Sequence, residues 1–216
     1  MVDNSNTLII KIMRNIITQK YTQEHKELFD LTNQINKDFA LKNGFEYIEN
    51  GESLCPDRKI WWEKIAWLNK LLPTLPDDTL VIYEDCDSIN ISGDLTKALH
   101  DGFEYGMVQL RGGLGGSDLV KWFNCGVIVM INTPDVRAFL ERVWNRNDDT
   151  DETSINKELK SLGYTIGKGK SVCSLDVEWN TWRNNEHLTN NINIKSWHGM
   201  SYSDKLAAIK IFINNE

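Results

Sequence analysis

The chain has 216 residues, enough for one domain with a full hydrophobic core. Its formal net charge of -7 argues against general nucleic-acid binding, which needs clustered Lys and Arg. No apolar stretch approaches a membrane span, and Lys11 and Arg14 break up the apolar N-terminus too much for a signal-peptide core. These features predict a soluble, cytoplasmic protein, of bacterial or viral type or a domain excised from something larger. The four cysteines, Cys55, Cys86, Cys125 and Cys173, lack C-x-x-C spacing, and three of them lie in or beside apolar segments, where buried free thiols are the usual case. Eight tryptophans are many for this length. Most belong in a core, although exposed indoles also stack on sugar rings.

In chain order, Thr7 to Met13 reads as a first strand. From Thr22 to Lys42, Leu28, Leu31, Ile35 and Phe39 fall on one helical face, and Asn43-Gly44 supplies the stop. Phe45 to Ile48 is a short strand. A helix follows from about Trp61 to Leu72, ended by Pro73 and Pro76. Thr79 to Tyr83 is the next strand, and it runs into Glu84-Asp85-Cys86-Asp87. Uncompensated carboxylates are costly in a core, so all three acids are expected where this strand leaves it. A capped helix near Leu95–His100 and a strand at Tyr105–Leu110 come next. The glycine-rich run Arg111 to Asp118 reads as a loop on the acceptor side of a site, since no G-K-[ST] accompanies it.

Phe123 to Asn132 is the most apolar run and predicts a central strand. Thr133 or Asn132 caps a helix with Pro134 in its first turn, and a further helix spans about Thr153–Leu162. Short strands near Tyr164–Ile166 and Ile192–Lys195 precede a helical segment over Ser203–Ile213. The alternation predicts an α/β fold: one domain over residues 1–216, a mostly parallel sheet with helices on both faces. In such sheets ligands bind beyond the carboxyl ends of the strands, where Asp85 and Asp87 lie. Two carboxylates two residues apart suit Mg²⁺ or Mn²⁺, although an acidic turn with no ligand has the same pattern.

Five segments in order add a resemblance. Trp61-Trp62-Glu63-Lys64-Ile65 precedes the acidic strand end, Phe123-Asn124-Cys125-Gly126-Val127 and Asp151-Glu152-Thr153-Ser154-Ile155-Asn156 follow it, and His198-Gly199 with Lys205 closes the series. The set resembles the GT-A fold, Rossmann-like glycosyltransferases with a D-x-D motif, particularly the retaining galactosyl-, xylosyl- and mannosyltransferases. The resemblance spans about residues 45 to 205.

It implies a hexosyl transfer from a nucleoside-diphosphate sugar to a glycan, glycoconjugate or other hydroxyl acceptor. A UDP-sugar is favoured and a GDP-sugar is the alternative. It also implies a metal site of Asp85, Asp87 and His198, the imidazole favouring Mn²⁺ over Mg²⁺, with Asp85 also touching the ribose. Lys64 and Lys205 would face the diphosphate, and Asn124 and Gly126 the donor sugar. Arg58, Cys86, Arg111 and Gly199 complete the implied nucleotide-sugar-binding set. Asp151 and Glu152 would stand beside the anomeric carbon.

The chain departs from that pattern at two points. Glu152 stands where Gln is usual, so a true carboxylate could stabilise an oxocarbenium-like transition state or act as a nucleophile. His198-Gly199-Met200 lacks the usual gap before glycine, and Lys205 lies farther along. Competing readings are a haloacid-dehalogenase-like phosphatase with Asp85 as nucleophile, a non-catalytic carbohydrate-binding module using the tryptophans, and a nucleotidyltransferase. The nucleotidyltransferase is disfavoured because Gly116-Ser117 follows the acidic motif rather than preceding it. At single positions, the acids at 151–152 could serve only the helix dipole, and His198 or Lys64 only packing or solvation.

Overall fold

The computed structural model describes residues 14–99, 103–110, 122–166, 170–181, 192–198 and 200–215. The strand expected at Thr7–Met13 lies outside them. The first described strand is β1, Asn15–Lys20, which sits inside the sheet with β2 (Glu46–Asn50) on one side and β3 (Leu80–Asp85) on the other, parallel to both. A buried central strand usually reads as a continuous apolar run. Here Thr18, Gln19 and Lys20 are all buried, and each is satisfied by a specific bond. Thr18 Oγ1 donates to the Ile48 carbonyl at 2.7 Å and accepts from Trp67 Nε1 at 2.9 Å. The Lys20 ammonium donates to the carbonyls of Tyr21 and Glu52 and pairs with Glu63 at 3.3 Å.

Helix α1 (Lys26–Lys42) follows one 3₁₀ turn at Gln23–His25 and stops at Gly44, whose φ of 74° is the left-handed geometry expected of a C-cap. Helix α2 (Glu63–Leu71) is lengthened at both ends by 3₁₀ turns, Ile60–Trp62 and Leu72–Thr74. After β3, the strand β4 (Ser88–Asn90) forms an antiparallel ribbon with the late strand at Ile194–Ser196. The helix expected near Leu95–His100 is one 3₁₀ turn, Leu95–Lys97, whose cap Asp94 accepts from the Thr96 amide.

Strand β5 (Tyr105–Leu110) matches its expected bounds. The apolar run after it splits into β6 (Trp122–Phe123) and β7 (Val127–Ile131), because Asn124-Cys125-Gly126 breaks the pairing. Helix α3 (Pro134–Arg146) is capped by Thr133 and α4 (Asp151–Ser161) by Thr150, so Asp151 and Glu152 form the first turn of α4. The hairpin β8 (Thr165–Ile166) and β9 (Lys170–Ser171), the edge strand β10 (Cys173–Leu175), the ribbon strand β11 (Ile194–Ser196) and helix α5 (Tyr202–Asn215) complete the described elements.

The sheet order is β10-β5-β7-β3-β1-β2, with β6 paired to β5 off this path. Along this path pairing is parallel except at β7, which is antiparallel to both β3 and β5, and β6 is also antiparallel to β5. Two cores flank the sheet. Ile16, Val81, Tyr83, Ile128 and Met130 face α2, α3 and α4, where Ile65, Leu68, Phe139, Leu140, Ile155 and Leu159 pack. Ile17, Ile82, Val127 and Val129 form the other core with Ala40, Phe45 and Trp179. The strict alternation of β1 and β3 thus splits their side chains between two layers. The fold is the expected α/β sandwich around a mixed, mostly parallel sheet. No helix among the described residues is long and apolar enough to cross a membrane.

Glu84 corrects one expectation. It does not leave the core: it is fully buried, its Oε2 accepts from Asn90 Nδ2 at 2.9 Å, and its Oε1 has no hydrogen-bond partner. Burial pushes its carboxyl up to about 8, against the opposing pull of the Asn90 bond, so the core holds a neutral acid rather than a charge. The folded chain therefore binds this proton more tightly than the unfolded chain does. Stability should fall as pH rises from about 4.5 to about 8, by roughly 1.4 kcal/mol per pH unit at the steepest. Glu84→Gln should remove that slope. Thermal melts of both proteins in EDTA across this window check it, and parallel melting curves would exclude a neutral Glu84.

Candidate active site

A cleft of about 420 Å³ opens where the carboxyl ends of β1 and β3 meet the amino end of β7 and the first turn of α4. The antiparallel run of β7 creates this meeting, since it brings Gly126 beside Asp85, whose amide donates to the Gly126 carbonyl at 2.8 Å.

The turn after β3 is pinned from beneath. Gln19 Nε2 donates to the carbonyls of Asp85 (3.1 Å) and Ser88 (3.4 Å), and Thr32 Oγ1 donates to the Cys86 carbonyl at 2.9 Å. With its carbonyls held, the turn presents Asp85 and Asp87 together. Asp85, Asp87 and His198 each bring one ligand atom to within 4.8 Å of one another. Asp87 Oδ1 is buried, makes no hydrogen bond, and faces His198 Nδ1 at 3.9 Å. A buried, orphaned carboxylate oxygen beside a second carboxylate and an imidazole fits a divalent cation. On the other side, the Lys205 ammonium, from the first turn of α5, pairs with Asp87 Oδ2. Burial works against the Asp87 carboxylate, but His198 and Lys205 outweigh it and hold it below its ordinary range.

Lys64 ties the end of β3 to the start of α4. Its ammonium is buried, 3.0 Å from Asp85 Oδ1 and 3.2 Å from Asp151 Oδ2, and it donates to the Cys125 carbonyl at 2.7 Å. Burial opposes its charge, but Asp151 and then Asp85 outweigh that cost and raise it well above its usual range. Tyr83 adds a hydroxyl donor to Asp85 Oδ1 at 3.1 Å.

At the α4 end, Asn156 clamps β6 to the helix: it accepts from the Phe123 amide at 2.7 Å and donates to the Phe123 carbonyl at 2.9 Å. This fixes Trp122, whose indole Nε1 donates to Glu152 Oε1 at 2.9 Å. The other oxygen, Oε2, lies 3.4 Å from both Asn124 Nδ2 and the Cys125 amide. Glu152 is thus a carboxylate oriented by neutral donors, while its neighbour Asp151 is paired with Lys64.

Of the site residues expected from sequence, Lys64, Asp85, Cys86, Asp87, Asn124, Gly126, Asp151, Glu152, His198 and Lys205 all line this one cleft. Arg58 is not brought there. Its guanidinium stacks 3.6 Å from the Trp144 ring centroid and 4.9 Å from that of Trp62, and it donates to the Trp144 carbonyl at 2.9 Å. The sequence places Arg58 just before the cleft helix, but two indoles and a carbonyl capture it for the α2–α3 interface. Arg111 and Gly199 lie outside the described residues. The lysine of the His-Gly element does reach the acidic pair, despite its longer spacing.

Sequence reasoning missed the wall formed by Lys20, Tyr21, Thr22 and His25. Tyr21 stacks on Phe29 at 4.0 Å between centroids, and Gly51 packs so closely that a Cβ there would sit 2.5 Å from the Tyr21 ring. The signal was available: Tyr21 ends a strand pointing at the same sheet edge as Asp85. The polar residues of β1 hid that strand. Trp61 is also in the cleft wall and half-exposed, whereas its neighbour Trp62 is buried.

The phosphatase reading needs a later acidic pair, and of its candidates Asp148, Asp149 and Asp151 only Asp151 lines the cleft, where it is paired with Lys64. Asp148 is held by Lys157, Arg146 and Ser154, Asp149 is nearly fully exposed near Lys59, and Asp85 is engaged by Lys64 and Tyr83.

No protein-family model matches the chain, and no curated protein matches it in sequence. Solved structures do match in fold. A glycosyltransferase involved in the glycosylation of the major capsid of PBCV-1 superposes with a TM-score of 0.71, at 12% identity, over 92% of this chain and 99% of that one. The galactosyltransferase LgtC, in complex with donor and acceptor sugar analogs, gives a TM-score of 0.62 at 11% identity, over 92% and 94% of the two chains. The glycosyltransferase GlyE of Streptococcus pneumoniae TIGR4, in its apo form, gives 0.54 at 12% identity, over 94% of this chain and 63% of its own. The cleft lies at the carboxyl edge of a Rossmann-like sheet, the place where open α/β sheets bind ligands. The fold is that of the GT-A glycosyltransferases.

Proposed function

We propose that this chain is a metal-dependent glycosyltransferase. It would move a hexose-type sugar from a nucleoside diphosphate, with UDP favoured, to a hydroxyl of a glycan or glycoconjugate, with retention of configuration. One observation carries the reading: Asp85, Asp87, His198 and Lys205 converge in one cleft, and Asp151 and Glu152 line the same cleft beside them. A charge-bearing leaving group and a carboxylate-flanked sugar need those two groups side by side.

Asp85, Asp87 and His198 would hold Mn²⁺ or Mg²⁺, which when bound supplies positive charge to the diphosphate as the glycosidic bond breaks. The imidazole supports Mn²⁺. Lys205 stands close enough to Asp87 to add a second positive charge on the same side. Lys64 bridges Asp85 and Asp151 and offsets part of their combined charge. Glu152 presents its carboxylate to the sugar, aligned by Trp122 and Asn124, where it opposes the positive charge that develops at the anomeric carbon. The Tyr21 ring, rigid against Phe29, suits a planar base, and the half-exposed Trp61 suits an acceptor sugar face. The galactosyltransferase LgtC, of the same fold, was seen with donor and acceptor sugar analogs, which supports a sugar-nucleotide donor here.

The test is a thermal-shift screen of nucleotide sugars with and without Mn²⁺. A donor at about 100 times its Kd should add about 2.7 kcal/mol of stability, and only when metal is present. Asp87→Ala should abolish that metal-dependent gain. Unchanged Mn²⁺-dependent stabilisation of the variant would remove the site assignment, and no response to any nucleotide sugar would remove the reaction class.

A further inference from the structure

A buried asparagine outside the sequence-predicted set links two walls of the cleft. Asn180 follows the single turn Val177–Trp179 and is fully buried. Its Nδ2 donates to Asn124 Oδ1 at 2.7 Å, and its Oδ1 lies 3.3 Å from His198 Nε2.

The polarity of this chain of bonds is set at its far end. The Gly126 amide can only donate, and it reaches Asn124 Oδ1 at 2.9 Å. The other amide atom of Asn124 faces the Glu152 carboxylate, which accepts. Asn124 therefore turns oxygen toward Asn180, and Asn180 must answer with its NH₂ group. That leaves the Asn180 carbonyl oxygen facing His198, so Nε2 must carry the imidazole proton. The lone pair then belongs to Nδ1, the nitrogen that faces Asp87 Oδ1 at 3.9 Å. Ring placement is fixed by a second contact: a Cβ at Gly126 would lie 2.1 Å from both Cε1 and Nε2 of His198, so the imidazole lies against bare backbone.

We infer that Asn180 is a positioning residue that locks His198 in its Nε2–H tautomer and thereby commits Nδ1 to the cation shared with Asp85 and Asp87. The inference rests on reading those three residues as a metal site. Asn180 touches neither metal nor substrate. It acts through His198, as outer-shell partners of ligating histidines do.

The experiment uses ¹⁵N-labelled, metal-free protein and long-range ¹H–¹⁵N correlation of the His198 ring, assigned by its loss in His198→Gln. At a pH where the ring is neutral, wild type should show a protonated Nε2 and a bare Nδ1. In Asn180→Leu both tautomers should be populated, and the Mn²⁺ Kd measured by calorimetry should weaken by about 10–100-fold. Asn180→Asp still accepts from Nε2–H, so it should keep the wild-type tautomer and bind Mn²⁺ more tightly than the leucine variant. A wild-type spectrum dominated by Nδ1–H overturns the inference whether or not any variant folds. So does equal loss of Mn²⁺ binding in both variants with the tautomer unchanged, which is the signature of mere packing. A wild-type protein that binds no Mn²⁺ overturns the metal reading itself, and the spectrum, taken without metal, tells that failure apart from the first.

Discussion

Replacing Lys64 with methionine should lower the free energy of unfolding by about 3–5 kcal/mol, the range for breaking a buried ion pair by removing one partner. Methionine fills much of the same volume, so the loss is electrostatic rather than a cavity effect. The ammonium is fully enclosed and contacts Asp85, Asp151 and the Cys125 carbonyl at once. Without it, the Asp151 side chain, only 8% exposed, keeps a buried charge with no counter-ion. Lys64→Met/Asp151→Asn should recover part of the stability, because the orphaned charge is then gone. Chemical denaturation of the four proteins in the cycle measures the coupling. A double variant no more stable than Lys64→Met would mean that the amine works through Asp85 alone. The same loss should reach function, since Asp85 and Asp151 both line the cleft and, among the described residues, Lys64 pairs with both.

The sequence made the acidic strand end and the acids at the α4 start legible because each is a conflict between apolar pattern and polar content. The Asn-Cys-Gly break instead fell inside the run Phe123–Asn132 that reads as one strand. Asp85 and Asp87 interrupt a strand, Asn124 and Gly126 interrupt another, and Asp151 and Glu152 begin a helix where their charge suits the macrodipole. Such conflicts are where functional residues collect. The same logic failed for β1. Its buried Thr18, Gln19 and Lys20 look like a loop in one dimension, because their partners are distant: Ile48, Trp67, Asp85 and Glu63. With β1 went Tyr21 and His25. Polar residues satisfied by long-range bonds carry no local signal, and the alternation that marks a strand depends on their being absent.

Arg58 and Glu84 are the complementary errors. The resemblance implies Arg58 in the nucleotide-sugar-binding set, and the cost of burying charge places Glu84 where its strand leaves the core. Arg58 is consumed by two tryptophans, a fate set by the α2–α3 packing rather than by its own neighbours in sequence. Glu84 is consumed by neutralisation, an option that only burial reveals. Asn180 escaped for a third reason. Its importance lies in the direction of its hydrogen bonds, and direction exists only once Gly126, Asn124 and His198 are side by side.

Gly126→Ala should separate geometry from composition at the proposed metal site, since it removes none of the proposed ligands. The added methyl would sit 2.1 Å from two atoms of the His198 ring and 3.1 Å from Asn124 Oδ1. Contacts under 3 Å are not tolerated, and the ring cannot yield without leaving Asn180 or Asp87. The backbone should hold, because the Gly126 carbonyl still accepts from Asp85 and β7 is anchored by Val127, Ile128 and Val129, all fully buried. The expected result is a folded protein, destabilised by about 1–3 kcal/mol through overpacking. Its Mn²⁺ affinity should fall by about 10–100-fold, as when an outer-shell support is lost. Calorimetry on the metal-free protein reads the affinity and thermal melts read the fold. His198→Ala sets the scale: in the double variant the methyl has nothing to displace, so its affinity should equal that of His198→Ala alone. Strict additivity of the two losses would show that the alanine acts elsewhere, and an undiminished affinity in Gly126→Ala would remove His198 from the metal.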